Sequence, residues 1–203
     1  MTTSSRRTML KGAAWSAPII AVTAATPFAV ASGCAHLNEF SSWVVTRTGG
    51  SFDASTGPVG WVPGTPATFI IMSDNNSSSS TATLTLTAEI STIAGSTYEF
   101  DFRIQSNYGY PNGSSNWMRI EVLAGSQSLY KGTTREPSAE WPQIYRTAWP
   151  IDPVPYEDHT VSFVAGTTGL TTLTYRVTVS PRLNADAAND DIRVSVPSLA
   201  TCS

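Results

Sequence analysis

Aromatic and amide side chains are concentrated in two segments of the sequence, residues 105–117 and the proline-rich residues 135–158. Tyrosine and tryptophan rings stack on the apolar faces of sugar rings, while neighbouring polar groups bond the hydroxyls. These residue types therefore predict contact with a glycan. Two alternatives stay open, since such rings also cover the rim of a fold or form a surface for a protein partner. The candidate contact residues are Tyr108, Tyr110, Asn112, Trp117 and Trp141.

A short acidic segment, Asn189-Asp190-Asp191, precedes the last alternating stretch of the chain. Hard cations such as calcium take several oxygen ligands, which carboxylates, amides and loop carbonyls supply. We therefore predict that Asp190 and Asp191 contribute to a structural calcium site. The alternative is a plain turn, because Asp and Asn are common turn formers.

No arrangement in the sequence predicts catalysis. The two histidines, His36 and His159, stand at the start of the exported chain and at the start of an alternating stretch. There is no nucleophile elbow, no phosphate-binding glycine loop and no zinc-type spacing of His and Cys. We therefore expect no enzyme activity. A glycoside hydrolase remains an alternative, since the second loop holds acids that could act as a pair: Glu136, Glu140, Asp152, Glu157 and Asp158.

The only two cysteines, Cys34 and Cys202, lie near opposite ends of the chain. An even number of cysteines in an exported protein favours a disulfide. Their pairing would bring the two ends together. The alternative is lipidation of Cys34, because Ala31-Ser32-Gly33-Cys34 is weakly similar to a lipoprotein cleavage site.

The first 31 residues have the pattern of an export signal. Arg6-Arg7 precedes an apolar run, and Ala29-Val30-Ala31 supplies small side chains for signal peptidase. We predict a twin-arginine signal peptide at residues 1–31, leaving one domain at 32–203. The run closely resembles leaders of exported actinobacterial proteins. A membrane anchor is the alternative, although the run is alanine-rich and contains two prolines.

The charge of the exported part excludes one class of partner. The leader takes three of the 12 basic residues and none of the 15 acidic ones, so the formal net charge falls from −3 to −6. Nucleic acids require a basic surface, so this negative net charge argues against a nucleic-acid partner. No apolar run after the leader is long enough to span a membrane. The export signal leads us to expect an extracellular or cell-envelope location.

Period-two alternation of apolar and polar residues dominates the exported part and predicts β-strands. About nine short strands, each with one apolar face, need a second sheet to cover that face. We therefore predict an all-β, jelly-roll type β-sandwich. The polar segment 74–80 is expected to form a solvated hairpin tip. The clearest alternating stretches are residues 83–90, 97–105, 118–122, 160–163, 173–179 and 192–196.

Several stretches together resemble jelly-roll carbohydrate-binding modules and the wider galactose-binding-like fold. They are LNEF at 37–40 with Trp43, GSTYEFDF at 95–102, WMRIEVLAGSQSLY at 117–130 and the two closing segments at 159–175 and 190–197. The resemblance implies a structural calcium held between the first strand and the start of the last one. On this sequence that implies Glu39 and Asp191, with Asp190 nearby. It transfers no sugar-binding position.

These observations lead to one expected function and two alternatives. The expectation is a secreted or cell-envelope binding domain without catalysis, with a polysaccharide or surface glycan as its partner. The first alternative is a structural or adhesive envelope protein that binds another protein. The second is a glycoside hydrolase that uses the acidic loop.

Overall fold

The computed structural model describes residues 35–52, 59–108, 116–144, 146–148, 156–182 and 191–199. Within these ranges two short 3-10 turns, Ala35–Asn38 and Phe40–Ser42, precede twelve strands, and no α-helix is present. No helix in the described ranges is long and apolar enough to cross a membrane. The strands are β1 (Val44–Gly49), β2 (Gly60–Val62), β3 (Thr68–Ile71), β4 (Ala82–Thr92), β5 (Thr97–Tyr108), β6 (Met118–Ala124), β7 (Gln127–Thr133), β8 (Arg146–Ala148), β9 (Glu157–Val164), β10 (Gly169–Val179), β11 (Asp191–Ser195) and β12 (Ser198–Leu199).

The strands form two sheets that pack face to face. One sheet has five antiparallel strands in the order β1-β4-β10-β6-β7. The other has seven strands around β5, with β9 and β8 along one edge of β5, and β11 and β12 along the other. From β11 this sheet continues through β3 to β2. The predicted all-β sandwich is confirmed.

The alternation in the sequence decides which side chains enter the core. On β5, the residues Tyr98, Phe100, Phe102 and Ile104 are each at most 5% exposed, while the intervening Glu99, Asp101 and Arg103 face solvent. The inward residues of the other strands join them in one cluster of buried apolar side chains. Burying each large apolar side chain contributes about 1.5–3 kcal/mol.

A pair of aromatic residues links the two sheets at the centre of the core. Trp43 stacks on Tyr175 with 5.4 Å between ring centroids and meets the edge of Phe69. The Tyr175 hydroxyl on β10 donates a hydrogen bond of 2.9 Å to the Ser195 carbonyl on β11 of the other sheet. Trp43 Nε1 donates to the Leu37 carbonyl at 3.0 Å, which holds the first 3-10 turn against the sandwich.

The expectation of a solvated tip at residues 74–80 is wrong for its central residue. Asn75 is fully buried, because its amide group donates to the carbonyls of Ser80 and Ser180 at 2.7 and 3.0 Å. Its Oδ1 accepts from the backbone N–H groups of Ser51 and Ser77. The segment is therefore anchored to the ends of β1 and β10, while Asn76 and Ser78 to Ser80 face solvent.

Candidate functional site

Two of the five predicted contact residues, Trp117 and Trp141, lie together at one edge of the five-stranded sheet. Trp117 immediately precedes β6, and its backbone is fixed from both sides by Ser180 after β10. Trp117 N donates to Ser180 Oγ at 2.8 Å, and Ser180 N donates to the Trp117 carbonyl at 2.9 Å. The base of the first ring is therefore held by two neighbouring strands.

Trp141 lies in the loop that folds back after β7. Ser138 N donates to the Trp141 carbonyl at 2.9 Å, and Trp141 N donates to Ser138 Oγ at 3.1 Å. Ile144 anchors the end of the loop, since its side chain is fully buried and its N–H donates to the Thr133 carbonyl. This small hydrogen-bonded turn holds the second ring against the sheet.

Both rings contact the guanidinium of Arg119. Its Cζ lies 4.3 Å from the centroid of the Trp117 ring and 5.2 Å from that of Trp141, and Lys131 Nζ also lies 5.2 Å from the Trp141 ring. Such cation–π contacts hold a ring in place by about 0.5–2 kcal/mol each. We call Trp117, Arg119, Lys131 and Trp141 the tryptophan–arginine cluster. Both rings are half-buried, so part of each ring surface faces solvent.

Acidic side chains balance part of the positive charge of the cluster. Glu140 lies 2.5 Å from Lys131 Nζ, and Glu121 lies 3.9 Å from the same atom and 3.1 Å from Arg176. The hydrogen bond from Lys131 lowers the pKa of Glu140, and the same bond raises the pKa of Lys131. The ionised forms of both groups are therefore favoured near neutral pH.

The outer face of the five-stranded sheet, its side away from the core, extends from the cluster as a hydroxyl-rich surface. Two cross-strand rows run over it in register, with half-buried or exposed side chains apart from the buried Thr133. Neighbouring strands are about 4.8 Å apart, so a row across five strands is about 19 Å long. The first row is Thr46, Thr85, Arg176, Glu121 and Lys131; the second is Thr48, Thr83, Thr178, Arg119 and Thr133.

The other predicted contact residues are not joined to the cluster by any described contact. Tyr108 is the last residue of β5 in the seven-stranded sheet, and its side chain is not described. Tyr110 and Asn112 lie outside the described residues. The described parts of the segment that carried the prediction therefore lie in different sheets, and Trp117 is the described residue of the segment that belongs to the cluster.

The predicted calcium site receives no support from the described residues. No group of three acidic, His or Cys side chains that could hold a metal ion occurs among them. Two positions bear on the predicted pairing of Glu39 with Asp191. The exposed Glu39 follows Asn38, which lines a cleft together with Ser195. Ser195 lies four residues along β11 from Asp191, a distance of about 13 Å. Asp190 and both cysteines of the predicted disulfide, Cys34 and Cys202, lie outside the described residues, so these assignments stay predictions.

Three of the five acids considered for hydrolysis contact basic side chains. Glu140 contacts Lys131, Asp158 contacts Arg103 at 2.7 Å, and Glu157 lies 3.3 Å from His159 Nε2. The hydrogen bond from Lys131 lowers the pKa of Glu140 and favours its ionised form, whereas a general acid must hold a proton. Glu136 is exposed, and Asp152 lies outside the described residues. This arrangement does not favour the hydrolase alternative.

The sequence pattern did not mark Arg119, Lys131 and Glu121 as candidate residues. In an alternating stretch they occupy the polar positions, where a charged side chain normally marks the solvent side of a strand. The signal that could have found them is the combination of Trp117 and Arg119 at positions i and i+2, which lie on the same face of a strand.

No protein-family model matches the chain, and no curated protein matches it. Three solved structures are similar in shape. TmCBM61 in complex with β-1,4-galactotriose is 14% identical, with 83% of this chain and 94% of that chain covered and a TM-score of 0.42. The mannan-recognising module TmCBM27 is 12% identical, with 78% and 88% covered and a TM-score of 0.42. A family 11 carbohydrate-binding module from Clostridium thermocellum is 10% identical, with 78% and 88% covered and a TM-score of 0.38. Similarities this distant assign neither a family nor a ligand to the chain.

Proposed function

We propose that this protein is a non-catalytic carbohydrate-binding domain that contacts a glycan through the tryptophan–arginine cluster and the adjoining outer face. The observation that carries the proposal is that the rings of Trp117 and Trp141 both contact the guanidinium of Arg119, at the edge of a hydroxyl-lined sheet. Rings held in this way lose little conformational entropy when a ligand stacks on them.

The chemistry of the face suits a chain of sugar rings. Partly exposed indole rings offer apolar surface to the C–H faces of a sugar. Beside them, threonine hydroxyls, guanidinium groups and carboxylates provide donors and acceptors for sugar hydroxyls. A row about 19 Å long offers these groups repeatedly, which favours an extended polysaccharide over a single small sugar.

The proposal includes the cellular location that the leader predicts. Export by the twin-arginine pathway and removal of residues 1–31 would deliver the domain to the extracellular space or the cell envelope. Polysaccharides are abundant there, and a disulfide between Cys34 and Cys202 would persist. A structural calcium at Asp190 and Asp191 also belongs to this proposal, and equilibrium dialysis of the purified protein against calcium tests it.

The test is a retention assay of the purified protein on a panel of soluble and insoluble polysaccharides, with calcium present. We expect retention on a defined polysaccharide and loss of it in Trp117→Ala and in Trp141→Ala. The matched control is Tyr156→Ala, which removes an exposed ring outside the cluster. Absence of retention by the folded wild-type protein would refute the proposed function.

A protein partner remains a second candidate because of an apolar patch at one end of the sandwich. Ile93, Val164 and Leu170 are 45%, 58% and 70% exposed. Hydrogen bonds between the turns at 93–96 and 165–168 bring these segments together. Exposed apolar patches commonly bind proteins. This candidate predicts that Val164→Ser with Leu170→Ser abolishes binding to a purified envelope protein and leaves polysaccharide retention unchanged.

A further inference from the structure

A separate open cleft of about 480 Å³ lies on the seven-stranded sheet, away from the tryptophan–arginine cluster. Its floor is formed by neighbouring positions of β5 and β9, and its sides by Asn38, the Thr65–Pro66 turn and Ser198. Asn38 and Ser198 come from opposite ends of the described chain. The cleft is therefore completed where the first 3-10 turn and the last strand meet.

The floor of the cleft is a two-by-two array of polar side chains. Asp101 is opposite Thr160, and Arg103 is opposite Asp158. Thr160 Oγ1 donates to Asp101 Oδ1 at 2.6 Å, and Arg103 Nε lies 2.7 Å from Asp158 Oδ1. The side chains of Arg103 and Asp158 are 54% and 75% exposed, so most of their bonding capacity faces the cleft and solvent.

The chemistry of this array selects one class of ligand. Two carboxylates and one guanidinium give the floor a formal charge of −1, which disfavours phosphates and acidic sugars. Carboxylates accept hydrogen bonds from neighbouring hydroxyls, while a guanidinium and hydroxyls donate to ring and hydroxyl oxygens. The floor therefore complements a neutral, hydroxyl-rich saccharide, and within the described chain it contains too few acidic groups in one place to hold a metal ion.

We propose that this cleft is a second carbohydrate-binding site, specific for a neutral saccharide, and that one molecule bridges two polysaccharide chains. The inference rests on the proposed function and extends it. The cluster lies on the outer side of the five-stranded sheet and the array on the outer side of the seven-stranded sheet. About 10 Å of packed core separates two such sheets, so the sites face different directions. Two sites on one rigid body raise the retention of a polymer through avidity.

The test compares three variants with the wild-type protein by calorimetric titration with a neutral oligosaccharide of the retained polysaccharide. The cleft variant is Asp101→Ala with Arg103→Ala, and the cluster variant is Trp117→Ala with Trp141→Ala. The control is Glu99→Ala, which removes an exposed charge from the same face of β5 outside the cleft. All of the altered charges are exposed, so we expect unchanged thermal unfolding of the cleft variant.

We expect two molecules of oligosaccharide per wild-type chain and one per chain for either site variant, with the lost site at least tenfold weaker. The wild-type protein should also cross-link the soluble polymer into a turbid suspension, and both site variants should fail to do so. One site per wild-type chain, abolished by the cluster variant and unchanged in the cleft variant, would overturn this inference and leave the proposed function intact. Binding lost only in the cleft variant would overturn the cluster as a site.

Discussion

At the scale of single residues, the central feature is a cation shared by two rings. Arg119 is placed on the outer face by the alternation of β6, and it contacts Trp117, which immediately precedes β6, and Trp141 from the loop after β7. Its Nε atom is buried and makes no hydrogen bond to any described residue. The arginine therefore contributes to the cluster mainly through its contact with the rings, which it holds in a fixed orientation.

Replacing Arg119 should disturb both rings at once. We expect Arg119→Ala to lower the free energy of unfolding by about 1–2 kcal/mol, because two cation–π contacts are lost, and to change the near-ultraviolet circular dichroism of the tryptophans. Arg47→Ala, at an exposed position on the edge strand β1, is the matched control. Unchanged spectra and stability for Arg119→Ala would show that the arginine does not position the rings.

The Lys131–Glu140 pair predicts a pH dependence of stability. Lys131 lowers the pKa of Glu140 below its ordinary value of 4.5. The stabilisation is therefore fully present above pH 4.5, and it is lost as the pH falls through the lowered pKa. Denaturant unfolding above and below pH 4.5 should show a smaller loss for Glu140→Gln than for the wild-type protein. Equal losses in the two proteins would contradict the pairing.

The sequence marked Trp117 and Trp141 as candidates but did not mark the residues that surround them. Ring type and loop composition are local properties, and they are enough to mark a tryptophan as a candidate. The role of Arg119 depends on the register between β6 and β7 and on the path of the loop that returns Trp141 to the sheet. Neither is encoded in local alternation.

At the scale of elements, the long strands follow the sequence pattern and the short ones do not. β4, β5 and β10 have 11, 12 and 11 residues, long enough for apolar and polar positions to alternate several times. β2, β8 and β12 have 3, 3 and 2 residues, too few to show a period. Such strands form because a neighbouring strand offers free backbone groups, which is a tertiary effect.

Asn75 illustrates how one polar side chain can fix several elements. Both polar atoms of its amide group form hydrogen bonds, since Nδ2 donates to two carbonyls and Oδ1 accepts from two N–H groups. Composition alone predicted a solvated tip here, because Asn and Ser are usual in turns. The sequence contains no signal that this particular amide is buried.

Asn75→Asp should strongly destabilise the fold. A carboxylate cannot donate to the carbonyls of Ser80 and Ser180, and it would be buried without a compensating charge. We expect the free energy of unfolding to fall by about 3–5 kcal/mol, measured by urea denaturation. The control is Asn76→Asp, an exposed neighbour whose Oδ1 accepts from Arg182 and can still do so as a carboxylate. A loss below about 1 kcal/mol for Asn75→Asp would contradict the assigned bonding.

At the scale of the whole molecule, the sandwich itself was predictable while its strand order was not. Many amphipathic strands without a helix require two sheets, but the pairing of β4 with β10 or of β5 with β9 joins segments far apart in sequence. The position of the first described 3-10 turn beside the last described strand also comes from the tertiary structure. Asn38 and Ser198 line the same cleft, and each lies four residues from a cysteine.

The Cys34–Cys202 disulfide stays a prediction, because both cysteines lie outside the described residues. Peptide mapping under non-reducing conditions should recover the two cysteines in one cross-linked peptide. Reduction should lower the free energy of unfolding by about 4–5 kcal/mol in the chain-entropy description, because the closed loop is long. Free thiols in the exported protein, or a lipid on Cys34, would refute the pairing.

The most direct test of the account is a nuclear magnetic resonance titration that observes the indole N–H groups while an oligosaccharide of the retained polysaccharide is added. Trp43 serves as an internal reference, because its ring is buried and its Nε1 is bonded to the Leu37 carbonyl. Glycan binding at the cluster predicts saturable shifts for Trp117 and Trp141 and none for Trp43. Saturable binding that leaves both cluster resonances in place, or no binding at all, would contradict the proposed role of the cluster.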